Sequence, residues 1–324
     1  MIDDIAVWVK VGAYAGGGLA MGLGAIGAAI GEGHTAAQAN AAISRNPAIS
    51  GDILKSMLVG QAIAESASIF ALVIAMILLF SSFPATSFVM VWAVFSAGLA
   101  MGLGAIGSGI GAGYPAGAAC LGMGRQPAMS GRLTTNMLVG SAVCQTPSIF
   151  ALVIGFILIF TDYATKPLSP TWAAVMGAGL STGLSAIGSG IGGGFVAQAS
   201  CEGIARNPKA AGPVTNIMLL GQAISQTPAI LGLLIGFILI FKGGADSDAL
   251  APAMALLAAG ICMGTGGIGP GIGEGIASSG GVTWIARNPE EMGIIVRTML
   301  VGMAVAESTA IYAMVISLVL IFVV

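Results

Sequence analysis

The chain alternates eight long apolar stretches with short polar segments, and the stretches come in four pairs. Each stretch exceeds the ~20 residues that an α-helix needs to cross the hydrocarbon core of a bilayer. The pattern therefore predicts an all-α membrane protein with eight transmembrane helices. The first helix of each pair is predicted at Ile5–Ala42, Val89–Leu121, Thr171–Ile204 and Ala253–Ile285, and the second at Ile49–Phe80, Met129–Phe160, Ala211–Phe241 and Met292–Val323.

One helical hairpin is repeated four times along the chain, at spacings of 80, 81 and 81 residues. Such self-similarity indicates one structural unit in tandem rather than one large fold. The polar turn inside every repeat carries the same Arg-Asn/Gln-Pro sequence, which begins at Arg45, Arg125, Arg206 and Arg287. The hairpins are predicted at residues 1–82, 83–163, 164–244 and 245–324.

Composition excludes a water-soluble globule, because 56% of the residues are hydrophobic and only 7% are charged. The acidic start, with Asp3 and Asp4, is unlike the basic beginning of a secretory signal, so no such signal is predicted. The four cysteines show no metal-ligand spacing and are interpreted as small packing residues.

The basic residues predict the orientation of the hairpins. Eight of the 11 Lys and Arg residues fall in or beside the Arg-Asn/Gln-Pro turns, whereas the linkers between hairpins carry Asp162, Asp246 and Asp248. Short loops rich in Lys and Arg stay in the cytoplasm. We therefore expect the turns in the cytoplasm and both termini outside.

The first helix of every repeat carries glycines four residues apart, as in the pairs Gly18 with Gly22 and Gly27 with Gly31. Small residues one turn apart let helix backbones approach closely in lipid. This spacing predicts an inner wall of tightly packed helices. Residues 22–27 also fit a dinucleotide-binding fingerprint, but that motif needs a preceding strand, and here it lies within an apolar helix.

Two glutamates lie near the middle of predicted membrane helices. Glu65 does so in the first repeat, and Glu307 occupies the same position in the fourth. An ionisable group at this depth is costly and points to a function. A structural ion pair is the alternative, but no Lys or Arg lies at a matching depth in the sequence to be the partner.

Each of these glutamates has an acidic companion 33 residues earlier, Glu32 for Glu65 and Glu274 for Glu307. A turn just after the arginine would bring the companions to similar depth on facing helices. Two carboxylates in a low dielectric cannot both be ionised, so one is expected to keep a proton while the other takes a cation or proton. The second and third repeats lose both members together, with Ala112 and Gln145 in one and Gly193 and Gln226 in the other.

These features resemble the c-subunit, or proteolipid, of rotary F-type ATP synthases, which has a Gly-rich inner helix, an Arg-Gln/Asn-Pro turn and an outer helix with a central carboxylate. Four fused copies would account for essentially the whole chain. The resemblance implies a ring of hairpins that takes ions from the stator a-subunit and turns a central stalk as it rotates. It also implies that Arg45, Arg125, Arg206 and Arg287 form part of the surface that contacts the stalk.

Sodium-binding members of that family add a Gln or Glu on the inner helix and a Ser after the outer carboxylate, and this chain is similar to that subset. Sodium prefers hard oxygen ligands. The resemblance thus implies two Na⁺ sites, with H⁺ as the alternative cargo. Candidate ligands are Glu32, Glu65, Ser66 and the Ile63 carbonyl at the first site; Glu274, Glu307, Ser308, Thr309, Tyr312 and the Val305 carbonyl at the second; and Thr146 and Thr227 supplied by neighbouring hairpins.

The two repeats without a carboxylate carry a proline two residues after the glutamine, Pro147 and Pro228. Proline removes a backbone donor, so these outer helices are predicted to bend at mid-membrane. At the first acidic site Phe70 and Ala67 stand where the second has Tyr312 and Thr309. The first site is therefore expected to bind its ion less tightly.

We expect an ion-translocating rotor subunit with no catalytic residues and no organic cofactor. The expected partners are other copies of the chain, the stator a-subunit, central stalk subunits and membrane lipid, not nucleic acid. The expected location is multi-pass in an energy-transducing membrane of a bacterial or archaeal cell. Because only half of the hairpins keep a carboxylate, few ions should move per ATP, which favours ATP-driven pumping.

A free-standing eight-helix secondary transporter is the alternative function. Such folds usually show inverted repeats and broken helices at the binding site, whereas these repeats run in parallel. A purely structural proteolipid conflicts with two pairs of carboxylates at membrane depth.

Overall fold

The computed structural model describes residues 4–242 and 249–323, and within them the chain is all-helical apart from turns and linkers. Eight segments are long and apolar enough to cross a membrane, as the sequence predicted. In those described ranges the α-helices are α1 Ile5–Arg45, α2 Ser50–Phe80, α3 Val89–Arg125, α4 Ser130–Cys144, α5 Thr146–Phe160, α6 Leu168–Arg206, α7 Ala211–Ser225, α8 Thr227–Phe241, α9 Leu250–Arg287 and α10 Met292–Phe322.

The inner helices α1, α3, α6 and α9 run two to four residues further at the polar turn than the apolar pattern predicted, because hydrogen bonding continues through the arginine. In the first turn the N–H of Asn46 still donates to the Ala42 carbonyl at 3.0 Å. Pro47 then begins a short 3₁₀ turn, where its missing N–H leaves no gap in the helix. The same turn recurs at Pro127–Met129, Pro208–Ala210 and Pro289–Glu291.

The remaining differences from the expected bounds are small. Helices α6 and α9 begin three residues earlier than predicted, and α10 ends at Phe322 rather than at Val323. The predicted boundary between residues 244 and 245 lies outside the described residues, as do Asp3, Asp246 and Asp248.

The inner helices pack side by side in chain order, α1 against α3, α3 against α6 and α6 against α9. Glycines make the contacts, and they face two ways. Gly98 and Gly102 of α3 lie against the backbone of α1, at Gly16 and Leu19. In the same helix Gly107 and Gly111 lie against the backbone of α6. A side chain at any of these positions would separate the helices, so the glycine ladder sets their spacing.

Each outer helix lies in the groove between its own inner helix and the next one along the chain. Helix α2 packs on both α1 and α3, and Gly60 of α2 meets Ala116 of α3. Helices α4 and α5 together do the same for α3 and α6, and α7 and α8 for α6 and α9. The last outer helix of the described residues, α10, packs mainly on its own inner helix, α9, and more lightly on α8.

The two outer helices that carry proline are interrupted at the position where the sequence predicted a bend. One helix ends at Cys144 and the next begins at Thr146, and the same break separates Ser225 from Thr227. Helices α2 and α10, which lack the proline, run unbroken through the equivalent position. The break therefore follows from the proline rather than from the position in the fold.

Candidate ion-binding sites

The two outer glutamates lie at the surface of the outer layer, half-way along unbroken helices. Glu65 on α2 is exposed, and Glu307 on α10 is half-buried. Their counterparts in the interrupted helices are buried, with Gln145 only 6% and Gln226 only 5% exposed. The acidic hairpins thus present an ionisable group at the outer face, whereas the glutamine hairpins keep a neutral one inside the wall.

The fold brings each outer glutamate near its acidic companion on the inner helix. Electrostatic repulsion acts between Glu32 and Glu65 in hairpin 1 and between Glu274 and Glu307 in hairpin 4. In hairpin 1 the side-chain amide of Gln61 also donates to the Glu32 backbone carbonyl at 3.1 Å, which fixes α2 against α1 at this level. Like charges that repel each other favour the uptake of a proton or cation by one of them.

The inner carboxylates differ in their surroundings. Glu274 is 0% exposed in the wall between hairpins 3 and 4, whereas Glu32 is half-buried on α1, which among the described inner helices packs on α3. Among the described residues neither carboxylate oxygen of Glu274 has a hydrogen-bond partner. A buried, unpartnered carboxylate is unstable as an anion, so this group needs a proton or a bound cation.

The predicted hydroxyl ligands donate to their own helices. Ser66 donates to the Ala62 carbonyl at 3.2 Å, Ser308 to the Val305 carbonyl at 2.7 Å, and Thr309 to the Ala306 carbonyl at 3.0 Å. Donation of the hydroxyl proton leaves the oxygen lone pairs free to accept or to ligate a cation. Tyr312 is 65% exposed on the outer face of α10.

A contact between hairpins 1 and 2 shows which groups meet across a hairpin boundary. The side-chain nitrogen of Gln145 donates to the Ile63 carbonyl at 3.0 Å and to the Ser108 carbonyl at 3.4 Å. At this boundary the residue at the outer acidic position of hairpin 2 therefore meets the carbonyl two residues before that position in hairpin 1, whereas the equivalent Gln226 donates to Ser189 of its own hairpin at 3.4 Å. Thr146 and Thr227, the predicted neighbour-supplied ligands, are half-buried at the first positions of α5 and α8.

Two serines on inner helices take part at the interrupted positions, although no pattern within a single repeat indicates them. The Ser108 hydroxyl accepts from the Ser148 N–H at 3.2 Å, and the Ser189 hydroxyl accepts from the Ala229 N–H at 3.2 Å. Alignment of the repeats could have found them, since both glutamine hairpins have serine there and the acidic hairpins have Ala28 or Pro270.

A further polar group lies one turn from Glu274 on α9. Ser278 is fully buried against Gly221 of α7, and in the described part of the chain its hydroxyl has no hydrogen-bond partner. The other three repeats have alanine at this position, which again only an alignment of the repeats reveals.

The four arginines predicted to contact a stalk end the inner helices, and all are exposed at the same end of the hairpins. Arg206 pairs with Glu202 at 3.5 Å, and the Arg287 guanidinium lies 4.7 Å from the centre of the Trp284 ring. The remaining two, Arg45 and Arg125, occupy the same place in hairpins 1 and 2. Together they form a basic surface beside the polar turns.

Comparisons with known proteins agree with this geometry. The family of ATP synthase c-subunits matches the chain four times, at residues 15–78, 95–158, 176–239 and 257–320. The K-subunit of the A-type ATP synthase of Methanocaldococcus jannaschii is 33% identical over 200 residues, which are 61% of this chain and 82% of that protein.

Single hairpins match shorter relatives. The ATP synthase c-subunit of Dehalococcoides mccartyi is 59% identical over 68 residues, 21% of this chain and 90% of that protein. That of Alkaliphilus oremlandii is 48% identical over 79 residues, 24% of this chain and 89% of that protein. With four matches that together span most of its length, the chain belongs to the ATP synthase c-subunit family.

Proposed function

We propose that the chain is a rotor subunit of a rotary ATPase or ATP synthase and carries Na⁺ or H⁺ on Glu65 and Glu307 as the rotor turns. The observation that carries this proposal is the placement of the two glutamates. Each lies at mid-membrane on the outer face with an acidic companion behind it on the inner helix. A group so placed can exchange its ion with a stator and stay shielded elsewhere in the cycle.

The two edges of the structure support closure into a ring of whole chains. On α1, Gly18, Gly22 and Gly33 have open space where their equivalents in α3, α6 and α9 meet a preceding inner helix. On α9, Gly269 is likewise open, although its equivalents meet a following inner helix. The two edges are the two halves of one repeated contact, so a second copy fits each edge by the same packing.

Ring closure would complete the site of Glu65 from a second copy. By analogy with the pairing of Gln145 and Ile63, Glu307 would face the Ile224 carbonyl and Thr227 of its own chain. In a ring of whole chains, Glu65 would face hairpin 4 of the neighbouring copy. Val305 and Ser308 would then serve the Glu65 site, and Ile63 and Ser66 would face Gln145 instead.

Sodium is the cargo that the chemistry of these groups favours. Carboxylates, hydroxyls and backbone carbonyls are hard oxygen ligands, and Glu32, Glu274, Ser66 and Ser308 place such oxygens beside the outer glutamates. H⁺ requires only one carboxylate at each site, and the hydroxyls and companion acids would then have no ligand role.

The proposed partners follow from the same rotor function. The outer face would meet a stator a-subunit, and the basic turns at the inner-helix ends would lie in the cytoplasm against central stalk subunits. Lipid would surround the rest of the ring in a bacterial or archaeal cell membrane. With ions on only half of the hairpins, the rotor would favour ATP-driven pumping.

The test is the size and activity of the purified complex. A detergent-stable ring several times the chain mass, together with ATP-driven ion uptake that Glu65→Gln and Glu307→Gln abolish, is the expected result. A monomer or dimer that exchanges ions without ATP would favour the secondary transporter instead.

A further inference from the structure

Pro228 in hairpin 3 and Pro147 in hairpin 2 occupy equivalent positions. Of these two hairpins, only hairpin 3 is followed along the chain by a hairpin with a glutamate at the outer position. In an unbroken helix the N–H of residue 228 would bond to the carbonyl of Ile224. Proline has no N–H, and the structure breaks the helix here, with α7 ending at Ser225 and α8 beginning at Thr227. The Gln226 N–H, which is directed partly towards the Ile224 carbonyl, also donates to Gln222 at 3.2 Å. The Ile224 carbonyl therefore lacks its helical donor and only shares the Gln226 N–H with the Gln222 carbonyl.

Ile224 occupies the position of Ile63, two repeats further along. By analogy with the bond from Gln145 to the Ile63 carbonyl, we expect the Ile224 carbonyl on the side of hairpin 3 that faces Glu307. Ile224 as a whole is half-buried. Between hairpins 1 and 2, the amide nitrogen of Gln145 occupies the position opposite the Ile63 carbonyl. Between hairpins 3 and 4, the equivalent position would lie beside the carboxylates of Glu274 and Glu307.

At the Glu65 site, the equivalent carbonyl keeps its helical hydrogen-bond donor. The residue equivalent to Ile224 is Val305 on α10, which is unbroken there and keeps the N–H of Thr309 as a helical donor. The Ser308 hydroxyl also donates to the Val305 carbonyl, at 2.7 Å. An oxygen with two full donors has less electron density for a cation than one with a single shared donor.

The inner carboxylates of the two sites also differ, and again the site of Glu307 is the more enclosed one. Glu274 is fully enclosed, and among the described residues both of its carboxylate oxygens are unpartnered, whereas Glu32 is half-buried at the edge of the chain. The pair of Glu274 and Glu307 therefore has the greater need for a cation with further oxygen ligands.

We propose that Pro228 is a positioning residue for the ion site of Glu307, because it frees the Ile224 carbonyl from its helical donor to ligate the ion. The chain then carries two unequal sites, a tighter one within the chain at Glu307 and a weaker one at Glu65 that takes Val305 from the neighbouring copy. This inference rests on the proposed ion-carrying function and gives a role in it to a hairpin whose outer helix has glutamine in place of glutamate.

The experiment compares Pro228→Ala with Pro147→Ala in the intact ring. Both substitutions restore the missing N–H, but Pro147 frees the carbonyl of Val143, and the next hairpin along the chain then has Gln226 at its outer position rather than a glutamate. The readout is the sodium concentration that protects Glu65 and Glu307 from labelling by a carbodiimide, resolved by mass spectrometry. Alanine favours helix at both positions, so both variants should fold.

In the Pro228→Ala variant, protection of Glu307 should need about three- to tenfold more sodium, the equivalent of one hydrogen-bond-sized interaction. Protection of Glu65 should not change, and Pro147→Ala should leave both glutamates as in the wild type. An unchanged Glu307 in Pro228→Ala, or the same change in both variants, overturns the inference while the ion-carrying function stands. Wild-type glutamates that sodium does not protect would overturn sodium as the cargo and this inference with it.

Discussion

The side-chain nitrogen of Gln145 lies 3.0 Å from the carbonyl oxygen of Ile63, across the boundary between the second and first hairpins. This bond is made by a residue that stands where the acidic hairpins have glutamate. An amide can satisfy a backbone carbonyl with its own proton, whereas a carboxylate needs a bound proton or cation to do the same. Gln145 therefore occupies without an ion a position at which the proposed function places an ion in the acidic hairpins.

Glu65 and Glu307 should be the two carboxylates that react with a membrane-soluble carbodiimide, because both lie on the outer face at mid-membrane. Sodium should protect both of them. Glu65→Gln and Glu307→Gln should each remove one of the two labels, as mass spectrometry of the peptides can show. Labelling that is indifferent to sodium at every pH would identify protons as the cargo.

Gly22→Leu should block ring closure and leave the single chain folded, because Gly22 faces open space at the edge of α1. The same change at its equivalent, Gly102, should unfold the hairpins, since a side chain there would meet Leu19 of α1. Gly131, which also faces open space but near the polar turn, provides the control. Native mass and helical content distinguish these outcomes, and a normal ring from Gly22→Leu would contradict the proposed edge.

The intact ring should have a mass that is an integral multiple of the chain mass, because a heterologous contact closes only by repetition of the whole chain. Three chains, with about 12 hairpins, are the size that the family resemblance favours. A mass that also requires single-hairpin subunits would show a mixed ring.

The number of ions moved per ATP should be low. A ring of three chains would carry about six ions per turn, and with about three ATP per turn about two ions would move per ATP, each worth ~2.3 kcal/mol per 100 mV. Such a ratio returns little energy for ATP synthesis but lets hydrolysis build a steep gradient. Reconstituted vesicles should show this ratio, and a value near four would mean that the hairpins of Gln145 and Gln226 also carry ions.

Gln145→Leu should destabilise the chain more than Gln226→Leu. The first loses a bond across the hairpin boundary, which in a membrane protein contributes roughly 0.6 kcal/mol, while the second loses only a 3.4 Å contact to Ser189 of its own hairpin. Thermal unfolding in detergent measures the difference. Equal unfolding temperatures for the two variants would show that the bond to Ile63 contributes nothing.

The sequence by itself determined the hairpins, their number and their acidic positions. Apolar stretches of this length can satisfy their backbone groups in lipid only as helices, and repeats with matching turns leave no choice of topology. The spacing of Glu32 and Glu65 was enough to place them on facing helices, and Pro147 and Pro228 were enough to predict the interrupted outer helices. These are local properties, which a pattern along one chain expresses completely.

Only the tertiary structure decided which groups meet across hairpin boundaries. The glycine pairs look alike in sequence, yet Gly98 and Gly102 face the preceding helix while Gly107 and Gly111 face the following one. For the same reason, the sequence could not predict the contact of Gln145 with Ile63. Contacts between repeats depend on how far each helix is rotated about its axis, and that rotation is fixed by packing over the whole wall rather than by any single repeat.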